Sequence, residues 1–140
     1  MRIALKIFTL CVALVIAGCS TDRATKEAIR RAETIAREMP DSALVLIESV
    51  DPQNVRGEDD KAHYRLVEAE VLYYNRILPD REEVAQPLFD HYLTSNDHRE
   101  RARAMYQYAL VMQAEGENAE ALYALLEAEK SLELCKYIDK

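Results

Sequence analysis

The sequence predicts an all-α protein, and its composition and periodicity are the reasons. The 140-residue chain contains only three glycines, and strong helix formers such as alanine, leucine, glutamate and arginine dominate after Thr21. Apolar residues recur at intervals of three and four, as they do on the buried face of an amphipathic helix. No run of β-branched residues alternates with polar ones, so the pattern of a half-buried strand is missing.

Three helices are predicted in the first half of the chain, over about residues 23–38, 41–50 and 59–78. Proline at position 40 separates the first two, because proline suits the first turn of a helix and not its interior. Asp59 and Asp60 are the expected N-caps of the third helix.

Three further helices are predicted in the second half. The fourth starts at Pro79–Asp80, and Pro87 is expected to kink or delay it. The fifth and sixth cover about residues 98–114 and 119–134. Gly116 suits a left-handed C-terminal cap between them, and Asn118 suits the N-cap of the last helix.

The last two helices resemble a tetratricopeptide repeat. Gly116 occupies the turn, and small residues stand at Ala109, Ala121 and Ala128, where the two helices of that repeat cross closely. Tyr108, Met112 and Leu125 fill larger positions, whereas Met105 and Glu133 replace the tryptophan and proline of the family pattern. The resemblance implies antiparallel helical hairpins stacked as a short α-solenoid. The alternative is a compact helical bundle.

The N-terminal segment has the features of a signal peptide, which predicts that the protein is exported. Arg2 and Lys6 precede an apolar segment at residues 7–17, which is too short to cross the ~30 Å hydrocarbon core but fits a signal peptide. Ile16, Ala17, Gly18 and Cys19 then resemble the lipobox of bacterial lipoproteins. That resemblance implies cleavage after Gly18 and lipid attachment to Cys19. The expected organisation is a signal peptide at 1–18, a lipidated tether at 19–24 and a helical-repeat domain at 25–140.

Charge and cysteine content restrict the partners. Removal of Arg2 and Lys6 makes the mature chain two charges more negative than the −7 of the whole sequence. Nucleic acid is therefore not expected as a partner, because binding it requires an excess of lysine and arginine. Cys135 remains as a single free thiol, so no intramolecular disulfide is expected.

Catalytic and metal-binding patterns are missing from the sequence. It contains no HExxH, no glycine-rich phosphate loop and no GxSxG. His91 and His98 have aspartates beside them, but we interpret them as surface histidines and not as metal ligands. We therefore expect no enzymatic activity, no cofactor and no metal.

Candidate binding residues come from the repeat resemblance, which implies that the first helix of each hairpin lines a concave groove. Eight tyrosines accompany no tryptophan, and tyrosine is common at interfaces. The alternative is that half of these tyrosines are buried between helices. The register implied by the resemblance assigns the following residues to the groove: His63, Leu66, Glu70, Tyr74, Arg103, Tyr106, Leu110 and Gln113. Tyr73 is the alternative to Tyr74.

The functional expectation is a protein–protein interaction lipoprotein of the bacterial cell envelope. It is anchored to the membrane, most simply the outer membrane, through Cys19, and it binds a protein or peptide in the groove. One alternative is a shortened relative of a longer repeat protein that docks through its apolar C-terminal helix, which includes Leu134 and Ile138. Another is a carrier that holds a small molecule between its helices.

Overall fold

The computed structural model describes residues 20–138, with side chains as far as residue 136. Within this range every regular element is helical and no strand occurs, which confirms the predicted all-α class. The predicted signal peptide and Cys19 lie outside the described residues.

Six α-helices follow the order of the sequence-based prediction. A short 3₁₀ helix, Pro52–Asn54, lies between the second and third, and a π-helical turn, Arg81–Ala85, leads into the fourth. The six helices are α1 (Arg23–Ile35), α2 (Pro40–Glu48), α3 (Glu58–Tyr74), α4 (Gln86–Tyr92), α5 (His98–Glu115) and α6 (Asn118–Ile138).

The helices pack as hairpins in chain order. Helices α1 and α2, α3 and α4, and α5 and α6 form the three pairs. The first helix of each pair also contacts the first helix of the next pair, and α2 and α4 each contact the hairpin that follows them. This arrangement is consistent both with the predicted stack, in which each hairpin buries its apolar face against its neighbour, and with the alternative of a helical bundle.

The core forms three buried clusters along the stack. One lies among α1, α2 and α3 and contains Ile47 and Val67. The second joins α3 to α4 and α5 around Leu66 and Met105, and the third fills the α5–α6 hairpin. Adjacent residues of α3 therefore serve different clusters, which makes α3 the central element of the domain.

The turn between α5 and α6 forms as predicted. Gly116 has a φ of +85°, which favours glycine because a side chain is strained there. The amide of Gly116 donates to the carbonyl of Gln113 at 3.2 Å, and the amide of Glu117 donates to Met112 at 2.9 Å. These bonds satisfy the last carbonyls of α5. Helix α6 begins at Asn118 itself, one residue earlier than predicted.

The small residues of this hairpin are buried, as a close helix crossing requires. Ala109, Ala121 and Ala128 are all less than a tenth exposed. Tyr108 and Met112 are also buried, whereas Leu125 is exposed on the outer side of α6. Of the three residues at the larger positions of the family pattern, Leu125 is therefore the one that does not contribute to the buried core.

Helix α3 ends at Tyr74, four residues before the predicted end. Arg76 adopts a left-handed conformation, with a φ of 59°. The side-chain amide of Asn75 donates both to the carbonyl of Val71, at 2.8 Å, and across to Pro40, at 2.9 Å. This amide stabilises the turn, and no glycine marked it in the sequence.

The start of α4 follows the prediction, whereas the start of α3 does not. Gly57, with a φ of +84°, precedes α3 in place of the predicted aspartate caps, and Asp59 and Asp60 lie within the first turn. Pro87 delays α4 as predicted, because the chain first makes the π-helical turn and α4 then begins at Gln86.

The chain before α1 is part of the folded domain. Thr21 is buried, and its hydroxyl donates to the carbonyl of Arg56 at 3.0 Å and accepts from the amide of Arg56 at 2.8 Å. Asp22 caps α1 through the amide of Thr25 at 2.8 Å. Thr21 is therefore held against the connection that precedes α3, and residues 22–24 of the predicted tether form the N-cap and the first residues of the first helix.

Candidate partner-binding face

Arg103 links the first helices of all three hairpins. Its Nε lies 2.7 Å from Oε1 of Glu70 on α3, and its Nη2 lies 2.6 Å from Oε2 of the same carboxylate. Nη2 also donates to Oε1 of Glu33 on α1 at 2.7 Å. A bidentate pair of this kind fixes the guanidinium plane. The side chain predicted to contact a partner therefore also holds the face together.

His63 completes this network on the same face. Its Nδ1 lies 2.9 Å from Oε1 of Glu100 on α5, and its Nε2 lies 3.4 Å from Oε2 of Glu33. The hydroxyl of Tyr92 donates to the other oxygen of Glu100 at 3.0 Å. The charged side chains are between about a sixth and a third exposed, whereas Tyr92 is buried beneath them.

The network shifts the pKa values of its members. The hydrogen bond to Glu100 raises the pKa of His63 above its usual value, against the opposing effect of burial. The same bond lowers the pKa of the Glu100 carboxyl. Burial raises the pKa of the Tyr92 phenol, and the hydrogen bond to Glu70 raises that of Arg103. The charged imidazolium of His63 is thus favoured by the fold.

Stability is expected to depend on pH through His63. Because its pKa is raised in the folded state, its stabilising contribution is fully present below the unfolded value of about 6.5 and is lost as pH rises through the folded pKa. Urea unfolding measures the free energy of unfolding at about pH 6 and at about pH 8. The decrease between these two pH values should be smaller for His63→Gln than for the wild type. An equal loss in both proteins would contradict this role. His98→Gln is the matched histidine control.

Three exposed tyrosines extend the face beyond the charge network. Tyr73 and Tyr74 follow Glu70 on α3, and Tyr106 lies one turn after Arg103 on α5. The ring centroid of Tyr73 lies 5.4 Å from that of Tyr74 and 6.2 Å from that of Tyr106, in edge-to-face geometry. Each of the three is about 40% exposed, so the cluster offers aromatic surface to a partner.

The other predicted groove residues have different positions. Gln113 is exposed, and Leu110 is partly buried at an open pocket of about 360 Å³ that Tyr73 and Ile77 also line. Gln107 lines the same pocket, and its Oε1 has no hydrogen-bond partner among the described residues. Leu66 is fully buried, so its assignment to the groove is wrong: it is a central side chain of the middle cluster.

We call the surface formed by Glu33, His63, Glu70, Glu100, Arg103 and the tyrosines Tyr73, Tyr74 and Tyr106 the inner face. Sequence reasoning missed two of its carboxylates. Glu100 precedes Arg103 by three residues, so helical spacing alone could have placed it there. Glu33 is 70 residues from Arg103, and no local pattern links them.

A second exposed surface lies on α6. Buried residues such as Ala124 and Ser131 face α5, and leucines of the opposite side remain exposed. Leu122, Leu126 and Leu132 are each more than half exposed. The exposed apolar residues of this outer α6 surface are Leu122, Leu125, Leu126, Leu132 and Leu134. The side chain of Ile138 lies outside the described residues.

No protein-family model, curated protein or solved structure matches this chain. Among residues 20–138, no helix combines the length and apolar character needed to cross a bilayer. In the same range, no three histidine, cysteine or acidic side chains form a group suited to a metal ion.

Proposed function

We propose that this protein is a lipid-anchored interaction module of the bacterial envelope that binds a protein or peptide on its inner face. The observation that carries the proposal is the exposed tyrosine cluster beside the Arg103 network, on a surface shared by three helices. Tyrosine and arginine are enriched at interfaces because they combine apolar area with polar ends.

The order of the inner face supports binding. Arg103 is held by two carboxylates on two helices, so little side-chain freedom remains to be lost when a partner contacts it. The tyrosine rings already contact one another, which limits their rotation in the same way. A partner segment lying across α3 and α5 meets a surface that is arranged in advance.

The anchor follows from the motif Ile16–Ala17–Gly18–Cys19. A diacylglyceryl group and an amide-linked acyl chain on Cys19 supply stable membrane attachment, at about 0.8 kcal/mol per buried CH₂. Only Ser20 separates Cys19 from the buried Thr21. Lipidation therefore places the helical domain directly at the bilayer surface and not on a long tether.

The outer α6 surface supports a second candidate, docking through the last helix. Its exposed leucines form an apolar surface along α6, and exposed apolar surfaces are typical of interaction sites. In this case the partner covers α6 and leaves the inner face unused.

Capture of partners from detergent-solubilised envelope separates the two candidates. Tyr73→Ala with Tyr106→Ala is expected to weaken capture about tenfold or more, since truncated hot-spot residues commonly cost ~1–2 kcal/mol or more. Both rings are partly exposed, so the melting temperature should change little. Arg103→Ala is a poorer test because it also breaks the contacts to Glu70 and Glu33.

Leu126→Asp with Leu132→Asp is the matched variant for α6. If this α6 variant lost capture while the tyrosine variant kept it, the partner would bind the last helix and not the inner face. Val45→Ala serves as the control because Val45 is exposed on α2, outside both surfaces. Capture that survives both double variants would contradict both candidates.

A further inference from the structure

A pocket lies where α4, α5 and α6 meet, apart from the inner face. Phe89, Tyr108 and Tyr123 contribute one ring each, and Ala119 and Glu120 complete the lining of a pocket of about 270 Å³. The centroids of Phe89 and Tyr108 are 4.5 Å apart, and those of Phe89 and Tyr123 are 6.3 Å apart. We call this group of residues the aromatic cage.

The rings of the cage are tilted relative to one another, and Phe89 stacks against Tyr108. The planes of Phe89 and Tyr108 meet at 33°, and those of Phe89 and Tyr123 meet at 58°. Tyr108 is buried in the α5–α6 hairpin, whereas Tyr123 is about half exposed at the pocket mouth. Ala119 has no bulky side chain, so the space in front of the rings stays open.

One carboxylate of the cage is not neutralised. Glu120 lines the pocket and has no ion-pair partner among the described residues. Nearby, Arg81 is paired with Glu115 at 2.8 Å, and Asp90 accepts from the amide of Gln86 at 2.9 Å. Burial raises the pKa of the Tyr108 phenol; Arg81 opposes this rise, and Glu120, Asp90 and Glu115 add to it.

We propose that the aromatic cage binds a quaternary ammonium group. An aromatic lining attracts a cation through the ring quadrupoles, an interaction worth up to ~2 kcal/mol for a desolvated cation. Glu120 supplies a charge that complements the ligand at the pocket mouth. The site lies outside the inner face, so the proposal stands independently of the interaction function.

The chemistry of the walls selects an alkylated cation over a primary ammonium. A primary ammonium has three N–H donors, and burying them without acceptors costs free energy. Apart from Glu120, the lining side chains are one alanine and three aromatic residues, whose polar atoms are two phenol oxygens. A quaternary ammonium has no donor to satisfy and presents methyl groups to the rings.

Choline is the probe, and the full chain in a maltoside detergent is the sample, so that the detergent contributes no ammonium group. Choline methyl protons in the cage should shift upfield in proton NMR because the aromatic ring currents shield them. Dimethylbutanol, the uncharged carbon isostere of choline, is expected to bind about tenfold more weakly, as for a loss of ~1.4 kcal/mol. Equal binding of the two would show an apolar pocket and overturn the proposal.

Substitutions at the exposed residues of the cage test whether choline binds there. Tyr123→Ala is expected to weaken choline binding about tenfold, whereas Tyr123→Phe keeps the ring and should retain most of the affinity. Glu120→Gln should reduce the affinity several-fold. Glu129→Gln is its control, since Glu129 is exposed on α6 outside the cage. Absence of an upfield shift at millimolar choline, or a shift insensitive to Tyr123→Ala, would overturn the proposal.

Two further probes identify the source of the ammonium group. Dihexanoyl phosphatidylcholine below its micelle concentration tests a lipid headgroup, and stronger binding than choline would assign the site to lipid. N-acetyl-lysine amide tests a protein side chain. Stronger binding of this primary ammonium than of choline would contradict the selectivity for an alkylated cation.

Discussion

Replacing Cys19 with alanine is expected to abolish membrane attachment and to leave the chain uncleaved. The thiol of Cys19 is the acceptor of the lipid in the lipobox resemblance, and alanine has no nucleophilic atom to take its place. In wild-type cells the protein should pellet with membranes and yield to detergent but not to salt, because acyl chains and not surface charge hold it there. The net charge of −7 agrees with this, because an acidic protein is not attracted to anionic lipid.

Intact-mass analysis measures this prediction directly. The wild-type mature chain should begin at Cys19 and carry acyl mass on that residue. Cys11→Ala is the matched control, since Cys11 lies in the predicted signal peptide and should not affect processing. A wild-type chain found without acyl groups, or one cleaved elsewhere, would refute the anchor and leave the proposal for the inner face intact.

Ala109→Leu is expected to lower the unfolding free energy by about 1–3 kcal/mol, the usual cost of forcing extra methylenes into a packed core. Ala109 is buried in the cluster with Ala121 and Ala124, where α5 crosses α6. A leucine there has no space unless the helices move apart. The displacement would also disturb Met112 and Tyr108 in the same cluster.

Urea unfolding followed by far-ultraviolet circular dichroism checks this result. Ala114→Leu is the control, because Ala114 lies on the same helix but is exposed, so the change there should be within about 0.5 kcal/mol. If Ala109→Leu proved as neutral as Ala114→Leu, the two helices would not cross closely at this point. The resemblance to a tetratricopeptide hairpin would then lose its main support.

Seven of the eight tyrosine side chains lie within the described residues, and they differ in exposure. Tyr64, Tyr92 and Tyr108 are buried, as the alternative interpretation of the tyrosines predicted for part of the set. Exposed tyrosines lie on both candidate sites, Tyr73, Tyr74 and Tyr106 on the inner face and Tyr123 at the cage mouth. Tyrosine content alone therefore predicted an interaction surface without separating the two sites.

Local patterns were enough to predict most of the helices. Helix propensity and apolar spacing act over one or two turns, so the six helices appear where the sequence indicates them. Gly116 and Pro87 act within their own backbone, through a left-handed φ and a missing amide, and both had their predicted effects. The buried alanines of the α5–α6 hairpin were predicted in the same way, from spacing around the turn.

The features that failed prediction depend on residues far apart in the chain. Helix α3 stops at Tyr74 because Asn75 reaches the carbonyl of Pro40, which no helical spacing reveals. Leu66 is buried because α4 and α5 cover that side of α3, although its phase on the helix also fits a groove.

The amino-acid sequence by itself determined the all-α class, the order of the helices and the turn at Gly116, because each depends on neighbouring residues. The lipobox motif stays a prediction from the sequence. Only the tertiary structure decided which side of each helix is buried and which is exposed. It brought Glu33 to Arg103 and Phe89 to Tyr123, since stacking hairpins places such side chains within contact distance whatever their separation in the chain.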